Sequence, residues 1–569
     1  MCAISGILLG AGLVQPSTLD RFTDSMAHRG PDGRGTWLDG GVGLGHRRLS
    51  ILDLSESGRC PMEITAPDGR RFVITYNGEV YNFLELRSEL EAAGYAFRSE
   101  TDTEVVAAAY AHWGEDCLKR FNGMWAMAIW DPARRVLFVA RDRFGIKPLY
   151  YLCQRGDFFF ASELKAFTAL EGFQPSLDAD VARAALHLSQ PLEGTTEASL
   201  MSGVRRLMPG SALTVAPGGS PRITKWWETR DHLVDVPEDF AGQTERWREL
   251  FLDAVRLRLR SDVPVASSLS GGLDSSAVVG AIAAAGREQT AGQRRAPSWQ
   301  RSFISTFPGA ANDERAYAEQ VAAFTGAQAT YTEFDGASAC GRVLDAVWAM
   351  EDVYPAIAVP VLTNYEAMRK NGVVVSLDGH GADELVGGYD WYLATPLKDL
   401  NDRLYEQFHR DLLPSILKNF DRCSMASGVE VRMPFMDWRL VCYTFSLPPE
   451  TKIGAGYTKR ILREAARGLI PESVRLRKSK IGFNSPMVEW FNEGLHGLIA
   501  HVVRHPRWKA SRLFDGKAAG EELLRKSQQR AFTPADGGRI LTLWTFMNLI
   551  LWEILFLDRE RPVFSRPAP

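Results

Sequence analysis

The seven residues SGGLDSS (270–276) connect an apolar, β-rich run, VPVASSL (263–269), to a helical pattern over 275–285. Glycines allow close backbone approach, serine hydroxyls donate hydrogen bonds, and the N-terminus of a helix carries partial positive charge. No G-K-[ST] sequence follows, which argues against a Walker-type loop. The turn therefore predicts an anion site built from Ser270, Gly271, Gly272, Leu273, Asp274, Ser275 and Ser276.

Strand and helix patterns alternate on both sides of this turn. SFISTF (302–307) precedes a helical pattern over 315–325, and VVVSL (373–377) precedes a Gly-rich turn. This alternation predicts an α/β domain, over 241–560, in which helices flank a parallel sheet.

The chain beyond residue 403 is mainly helical in pattern. Its most apolar stretch, 540–557, is as long as a membrane span but contains Asn548 and Glu553, which favours a buried helix. We expect the Pro-rich end, 561–569, to be a loose tail.

The N-terminal part has a different pattern. Short β-rich runs separated by turn residues fill 2–215, interrupted by helical patterns over 83–93 and 103–113. They predict an α+β domain with packed antiparallel sheets. A stretch rich in Pro, Gly and charge, 216–240, is expected to be a linker.

Composition narrows the class of protein. The 569 residues carry 66 Lys and Arg against 69 Asp and Glu, a net charge of −3, so nucleic acid is not an expected partner. Seven cysteines without a C-x-x-C pair fit neither a disulfide framework nor a zinc ribbon. The N-terminus lacks the features of a signal peptide, and we predict a cytoplasmic protein without membrane contact.

Cys2 is a candidate nucleophile because it directly follows the initiator methionine. Removal of that methionine would leave the thiol beside a free α-amine, whose reference pKa of about 7.7–8.0 suits a general base. Taken alone, Cys2 is more simply read as a small buried strand residue.

The segment Tyr76-Asn77-Gly78-Glu79 supplies what such a nucleophile needs. The Asn77 side-chain amide and the unhindered N–H of Gly78 are suitable oxyanion-hole donors. A simple Asn-Gly hairpin turn is the alternative.

Six motifs in this order resemble the class II glutamine amidotransferase domain: MCAISGI (1–7), HRGPDG (28–33), HRRLSILD (46–53), YNGEVYN (76–82), FNGMWAMAIWD (121–131) and RDRFGIKPLYY (141–151). The resemblance implies an αββα sandwich of the Ntn-hydrolase type. It also implies that Cys2 attacks the side-chain amide of glutamine and releases ammonia, with Asn77 and Gly78 as the oxyanion hole. Arg48 would bind the α-carboxylate of glutamine, and Asp102, with Glu79 beside it, the α-ammonium.

SGGLDSS resembles the pyrophosphate loop of ATP pyrophosphatases, and the whole chain resembles the glutamine-hydrolysing asparagine synthetase family. Further motifs appear in the order expected for that family: GADELVGGY (381–389), DRCSMASGVEVRMPFMD (421–437), TKRILREA (458–465) and RKSKIGF (477–483). The resemblance implies ATP as substrate and a homodimer.

The same resemblance gives roles to residues of the second domain. Asp274 and Asp383 would hold Mg²⁺, and Lys459 would lie over the charge that develops at the α-phosphate. The alternative for Lys459 is an i, i+4 helix partner of Arg463. Weaker candidates for a phosphate or carboxylate contact are Arg432 and Lys480.

One motif departs from the family. Where the family has S-G-[ED]-G before its A-D-E triplet, this chain has Asp378-Gly379-His380-Gly381, so His380 replaces an acidic residue. An imidazole can act as a base near neutral pH but changes the charge that faces the acceptor. The acceptor carboxylate is therefore either aspartate or a group on a small molecule or peptide.

The predicted function is a glutamine- and ATP-dependent amidotransferase that adenylates a carboxylate and converts it to an amide. Two alternatives are a non-catalytic storage or regulatory protein and a synthetase that closes an amide ring with an internal amine. The ring-closing class typically lacks the N-terminal cysteine that this chain has.

Overall fold

The computed structural model describes residues 2–188, 192–287, 294–307, 313–334, 340–478 and 485–561. Most of the predicted tail and the predicted contact Lys480 lie outside these ranges. The strands are β1 Ala3–Leu8, β2 Gly33–Asp39, β3 Val42–Arg48, β4 Met62–Thr65, β5 Arg71–Val80, β6 Gly123–Asp131, β7 Val136–Arg141, β8 Tyr150–Gln154, β9 Asp157–Ala161, β10 Val204–Arg206, β11 Ser211–Val215, β12 Arg222–Lys225, β13 Val265–Ser268, β14 Arg301–Thr306, β15 Gln328–Glu333, β16 Val375–Leu377 and β17 Glu430–Arg432.

The N-terminal part contains two six-stranded antiparallel sheets packed face to face. Their strand orders are β10-β8-β9-β1-β3-β2 and β12-β11-β7-β6-β5-β4. Apolar side chains from both sheets fill the space between them, among them Ile4, Leu44, Val73, Trp130 and Phe160. Burial of these side chains is the main force that holds the two layers together.

Helices cover the outer faces of this sandwich. Pro16–Asp24 packs on β1 and β3, whereas Asp102–Trp113 packs on β5. The side chain of Thr101 caps the second helix by accepting from the backbone N–H of Glu104. The predicted antiparallel α+β sandwich with helices outside is thus confirmed.

The Asn77–Gly78 pair does not form the hairpin turn that was the alternative reading. Both residues lie inside β5, where Asn77 pairs with Ala126 and Gly78 with Trp125 of β6. A Cβ atom on Gly78 would come within 2.2 Å of the Met124 carbonyl oxygen, so the strand pairing itself requires glycine.

The second part contains a five-stranded parallel sheet with the order β15-β14-β13-β16-β17. The order reverses beside β13, and crevices at such points hold ligands at the carboxyl ends of strands. SGGLDSS follows β13 and Asp378 follows β16, so both motifs lie at this crevice.

Helices surround the sheet and form most of the C-terminal region. Among the described residues the α-helices are Pro16–Asp24, Phe83–Ala92, Asp102–Trp113, Cys117–Arg120, Ala179–Leu188, Phe240–Arg258, Leu273–Arg287, Arg315–Thr325, Val343–Met350, Val359–Lys370, Ala382–Val386, Leu397–Glu406, Leu413–Met425, Trp438–Ser446, Pro449–Lys452, Arg460–Ala465, Glu472–Arg475, Met487–Asn492, His496–Arg504, Pro506–Ala510, Gly516–Gln528 and Gly537–Phe556.

Among the residues that the structure describes, one helical segment is long and apolar enough to cross a membrane by length and composition: Pro534–Phe556, which joins a short 3₁₀ turn to the helix Gly537–Phe556. Its apolar window is 67% buried inside the protein, and Asn548 accepts a hydrogen bond from the N–H of Tyr354 (2.9 Å). These contacts are those of a core helix, in agreement with the sequence-based expectation.

Candidate active sites

The N-terminal site is a small cavity at the start of β1. Its lining includes five of the six residues predicted for the glutaminase chemistry: Cys2, Arg48, Gly78, Glu79 and Asp102. The sixth, Asn77, is fully buried and accepts a hydrogen bond from the Cys2 nitrogen through Oδ1 (3.0 Å). The structure thus brings together Cys2, which directly precedes β1, with residues from β3, β5 and the start of a helix.

The Asn77 amide has a second feature of interest. Within the described part of the chain, its Nδ2 is buried without a hydrogen-bond partner. A buried donor left unpaired costs roughly 1–3 kcal/mol, which a bound acceptor oxygen would offset. Burial also raises the pKa of the nearby Cys2 thiol.

Carboxyl groups crowd the opposite side of this cavity. Asp102 Oδ2 accepts from the Tyr76 hydroxyl (2.8 Å) and the Val80 N–H (2.9 Å), and burial raises the pKa of Asp102 to about 6. Burial, followed by repulsion from Asp102 and Glu430, raises the pKa of Glu79 well above its usual value. Such a group of buried carboxyls favours binding of a cation.

Arg48 is the cationic residue predicted to bind the α-carboxylate of glutamine. Its guanidinium donates to the carbonyl oxygens of Ser55 (2.8 Å) and Asp53. These bonds fix the guanidinium at the wall of the cavity, where its positive charge faces the same space as Cys2.

The second site is a cavity of ≈ 350 Å³ at the carboxyl ends of β13 and β16. The predicted anion loop lies at its edge, and Gly271 adopts φ 82°. A Cβ at Gly271 would lie 2.7 Å from the Ala318 nitrogen, so both the backbone angle and the space require glycine. The Ser270 and Ser275 hydroxyls are 3.0 Å apart, and Ser276 is buried beneath them.

Lys459 connects the two predicted metal ligands. Its Nζ lies 2.6 Å from Asp274 Oδ1 and 2.5 Å from Asp383 Oδ1. Burial alone would lower the pKa of Lys459, but the two carboxylates outweigh it and raise the pKa. The i, i+4 alternative is not what the structure contains, because Arg463 donates instead to the carbonyls of Thr458 and Arg475.

His380 and Asp378, the two departures from the family motif, contact each other. His380 Nε2 lies 3.4 Å from Asp378 Oδ2, and the imidazole stacks on Phe420 with ring centroids 3.4 Å apart. The buried Asp378 also accepts from the hydroxyls of Tyr365 and Ser376, both at 2.5 Å. Burial would raise the pKa of Asp378, but the interaction with His380, followed by the hydrogen bonds from Ser376 and Tyr365, outweighs it and lowers the pKa.

Sequence reasoning named Asp378 only as a departure and did not assign it a function. The available signal was the D-x-H spacing immediately after a predicted strand, since both side chains there emerge at the sheet edge. Tyr365 and Phe420 carried no such signal because they come from the helices Val359–Lys370 and Leu413–Met425.

Arg432 was a weaker candidate for a phosphate or carboxylate contact. It is fully buried on β17, and its guanidinium bonds Glu430 Oε1 (2.6 Å) and faces Glu79 of the N-terminal cavity (3.3 Å). The contacts of Arg432 are thus with two protein carboxylates, and a contact with a phosphate or a substrate carboxylate stays a prediction.

A buried arginine joins the two sites. Arg29 Nε donates to the Cys2 carbonyl (3.2 Å), and its Nη1 and Nη2 bind Asp421 (2.9 and 3.1 Å). Asp421 follows Phe420, which stacks on His380. The nucleophile and the acceptor-side imidazole are therefore separated by a short series of direct contacts.

Comparison with known proteins shows the family to which both parts of the chain belong. Residues 1–227 match the model of the glutamine amidotransferase domain, and residues 246–413 and 395–553 match that of asparagine synthase. The chain is a member of the glutamine-hydrolysing asparagine synthetase family. Membership makes it a glutamine-dependent ligase of an ATP-using family.

Three similar proteins span most of the chain. Asparagine synthetase (glutamine-hydrolyzing) 1 of Bacillus subtilis is 27% identical over 98% of this chain and 98% of its own length. Asparagine synthetase (glutamine-hydrolyzing) 3 of Bacillus subtilis is 32% identical over 84% of this chain and 86% of its own. Amidase chry2 of Gibberella zeae is 32% identical over 80% of this chain and 71% of its own.

Proposed function

We propose that this family member transfers the amide nitrogen of glutamine to a carboxylate other than free aspartate, carried on a small molecule or a peptide. The carboxylate is adenylated by ATP with release of pyrophosphate, and ammonia then displaces AMP. The contact between His380 and Asp378 against an aromatic wall is the observation that carries this proposal.

In the glutaminase half of the reaction, Cys2 is the nucleophile. Asn77 Nδ2 and the Gly78 N–H donate to the oxyanion, and the unpaired state of that Nδ2 supports this role. Arg48 binds the α-carboxylate of glutamine through its planar fork, and Glu79 and Asp102 bind the α-ammonium. The ammonia released then travels inside the protein to the second site.

In the synthetase half, the 270–276 loop binds the phosphates of ATP. Asp274 and Asp383 would hold Mg²⁺, which shields the charge of the phosphate oxygens; two carboxylates with phosphate and water fit that ion. Their shared contact with Lys459 supports a cation site at this position. Lys459 stabilises the negative charge that develops at the α-phosphate and in the later tetrahedral intermediate.

The charge distribution in the cavity supports an acceptor other than aspartate. Among the described residues, every Lys or Arg of the lining comes from one segment, 458–478, on the side of Lys459. The lining near His380 contains Phe420, Tyr354 and Ile416, together with the polar side chains of Asn419 and Asp378. Free aspartate brings two carboxylates and an ammonium, whereas an apolar wall with one imidazole suits a carboxylate on a less charged body.

His380 acts as the base for the incoming nitrogen nucleophile in this proposal. With Asp378 facing Nε2, a proton on Nε2 leaves the Nδ1 lone pair free to take a proton from ammonium. Aspartate remains the second candidate acceptor, because two of the similar proteins are named asparagine synthetases.

We propose 2–215 as the glutaminase domain, 216–240 as the linker and 241–560 as the synthetase domain, in a cytoplasmic homodimer. Light scattering of the purified chain at micromolar concentration tests the dimer, for which a monomer is the contrary result.

The experiment for the proposed function follows nitrogen and pyrophosphate together. The protein is incubated with [amide-¹⁵N]glutamine, ATP, Mg²⁺ and a panel of carboxylic acids that includes aspartate, aromatic acids and short peptides. We expect pyrophosphate release and a ¹⁵N-labelled amide with an acid other than aspartate. In the matched Cys2→Ala variant the same amide should form only from added ammonia. Pyrophosphate release with aspartate alone would contradict the proposal.

A further inference from the structure

The residues that line the pocket around Cys2 belong to the N-terminal part, but one of its carboxylates is contacted from the second part of the chain. Arg432 comes from β17 of the parallel sheet, and its Nη2 lies 3.3 Å from Glu79 Oε1. Glu79 belongs to β5 and lines the cavity around Cys2. A side chain of the synthetase part therefore reaches the carboxylate proposed to bind the α-ammonium of glutamine.

The position of this guanidinium is fixed from its own side of the interface. Its Nε donates to Glu430 Oε1 (2.6 Å), and its Nη1 donates to the carbonyls of Arg258 (2.9 Å) and Arg260 (2.5 Å). Arg432 is completely buried, so it has no room for an alternative rotamer. The backbone is fixed as well, because the Arg432 carbonyl accepts from the Asp378 N–H (2.9 Å).

The charges of the cluster leave a place for a further cation. Glu79, Asp102 and Glu430 are three buried carboxyls, of which Glu79 and Glu430 contact the Arg432 guanidinium (3.3 and 2.6 Å). A carboxylate that is held by a fixed guanidinium on one side can present its free lone pairs to a second cation on the other. The α-ammonium of glutamine is a cation of the right size and charge for that place.

We propose that Arg432 is a positioning residue for glutamine, which orients the Glu79 carboxylate toward the substrate α-ammonium from across the domain interface. This inference rests on the proposed role of Glu79 in binding glutamine. Its consequence is that the glutamine site is complete only when the two parts of the chain are packed together.

The test uses the full chain and two ligands. Arg432→Met is compared with wild type for the KM of glutamine and for the inhibition constant of 4-carbamoylbutanoate, which has the same amide and carboxylate but no α-ammonium. We expect the KM for glutamine to rise about tenfold, since a charged hydrogen bond is weakened. The inhibition constant should stay within about twofold, because the inhibitor makes no contact that Arg432 positions.

A double-mutant cycle separates positioning from general damage. Glu79→Gln alone and Glu79→Gln with Arg432→Met should have similar KM values for glutamine, because Arg432 acts through Glu79. Arg260→Met is the matched control: Arg260 also crosses the interface, to Glu85 and the Tyr81 carbonyl, without contacting Glu79. It should leave the KM for glutamine within about twofold of wild type.

Several results would overturn the inference. One is an equal rise in the inhibition constant of 4-carbamoylbutanoate; another is additivity of the two substitutions. If Arg432→Met does not fold, Arg432→Lys, which keeps the positive charge, replaces it. The KM of glutamine and the inhibition constant of 4-carbamoylbutanoate are then compared in the same way. If the wild-type protein has no glutaminase activity, the proposed function is overturned and this inference with it. If the wild-type protein is active but the effects of Glu79→Gln and Arg432→Met on the KM of glutamine are additive, only the role of Arg432 is overturned.

Discussion

The two cavities differ in size and in the kind of group that lines them. The glutamine pocket around Cys2 is small and crowded with ionisable side chains, of which Glu79, Asp102 and Arg48 face one another. The synthetase cavity, at ≈ 350 Å³, divides into a cationic part near Lys459 and an aromatic part near His380. Under the proposed function, this difference means that charge selects the nitrogen donor, whereas shape and apolar contact beside His380 select the acceptor.

The largest expected effect is the loss of the synthetase activity without loss of the glutaminase activity. Lys459→Met should lower pyrophosphate release about 10³-fold or more, because it removes the cation placed against the phosphoryl charge. Glutamine hydrolysis in the same sample should remain within about twofold of wild type, since the pocket around Cys2 is untouched. Pyrophosphate and glutamate are measured in parallel.

Arg460→Met is the control for Lys459→Met. Arg460 is the first residue of the helix that follows Lys459, but its guanidinium donates to the Glu450 carbonyl and not to Asp274. Loss of pyrophosphate release in both variants would mean that the helix, and not the Lys459 ammonium, is responsible.

The next effect isolates the glutamine pocket. Asn77→Ala should lower glutamine hydrolysis about 10²–10³-fold, the cost of removing one oxyanion donor. Amide formation from added ammonia should persist, which distinguishes a local effect from unfolding. A glutaminase rate equal to wild type would contradict the role given to Nδ2.

The smallest effect concerns the pH dependence of glutamine binding. The Asp102 carboxyl binds the α-ammonium only when ionised, and burial raises its pKa to about 6. As pH falls from 7 to 5, the ionised fraction drops about tenfold, so the dissociation constant for glutamine should rise about tenfold. The α-ammonium itself stays charged over this range.

Calorimetry on the Cys2→Ala variant measures this constant without turnover. Burial also raises the pKa of Glu79, and protonation of this carboxyl would weaken ammonium binding in the same direction. A dissociation constant that is unchanged between pH 7 and 5 would contradict the proposed ammonium site.

The two sites also differ in how much of each could be predicted from the sequence. The glutamine pocket was predicted residue by residue because Cys2, Asn77 and Asp102 lie in short motifs that resemble the class II glutamine amidotransferase domain, and this resemblance implies their grouping. The parallel sheet was predicted from β13, β14 and β16, which are apolar runs.

Elements without a strong pattern were missed. β17 has only three residues, and β15 is a largely polar, partly exposed strand, so neither gives a clear apolar period. Contacts between distant motifs, such as Glu79 with Arg432 and Asp378 with Tyr365, depend on how the elements pack and have no local signal.

The central claim is a glutamine-dependent amidation whose acceptor is not aspartate. Its most direct test measures all reaction products when aspartate is the sole acceptor. The purified protein is supplied with glutamine, ATP, Mg²⁺ and aspartate, and glutamate, AMP and asparagine are quantified together. We predict glutamate from hydrolysis of glutamine, with little AMP and little asparagine. Equal amounts of glutamate, AMP and asparagine would contradict the account.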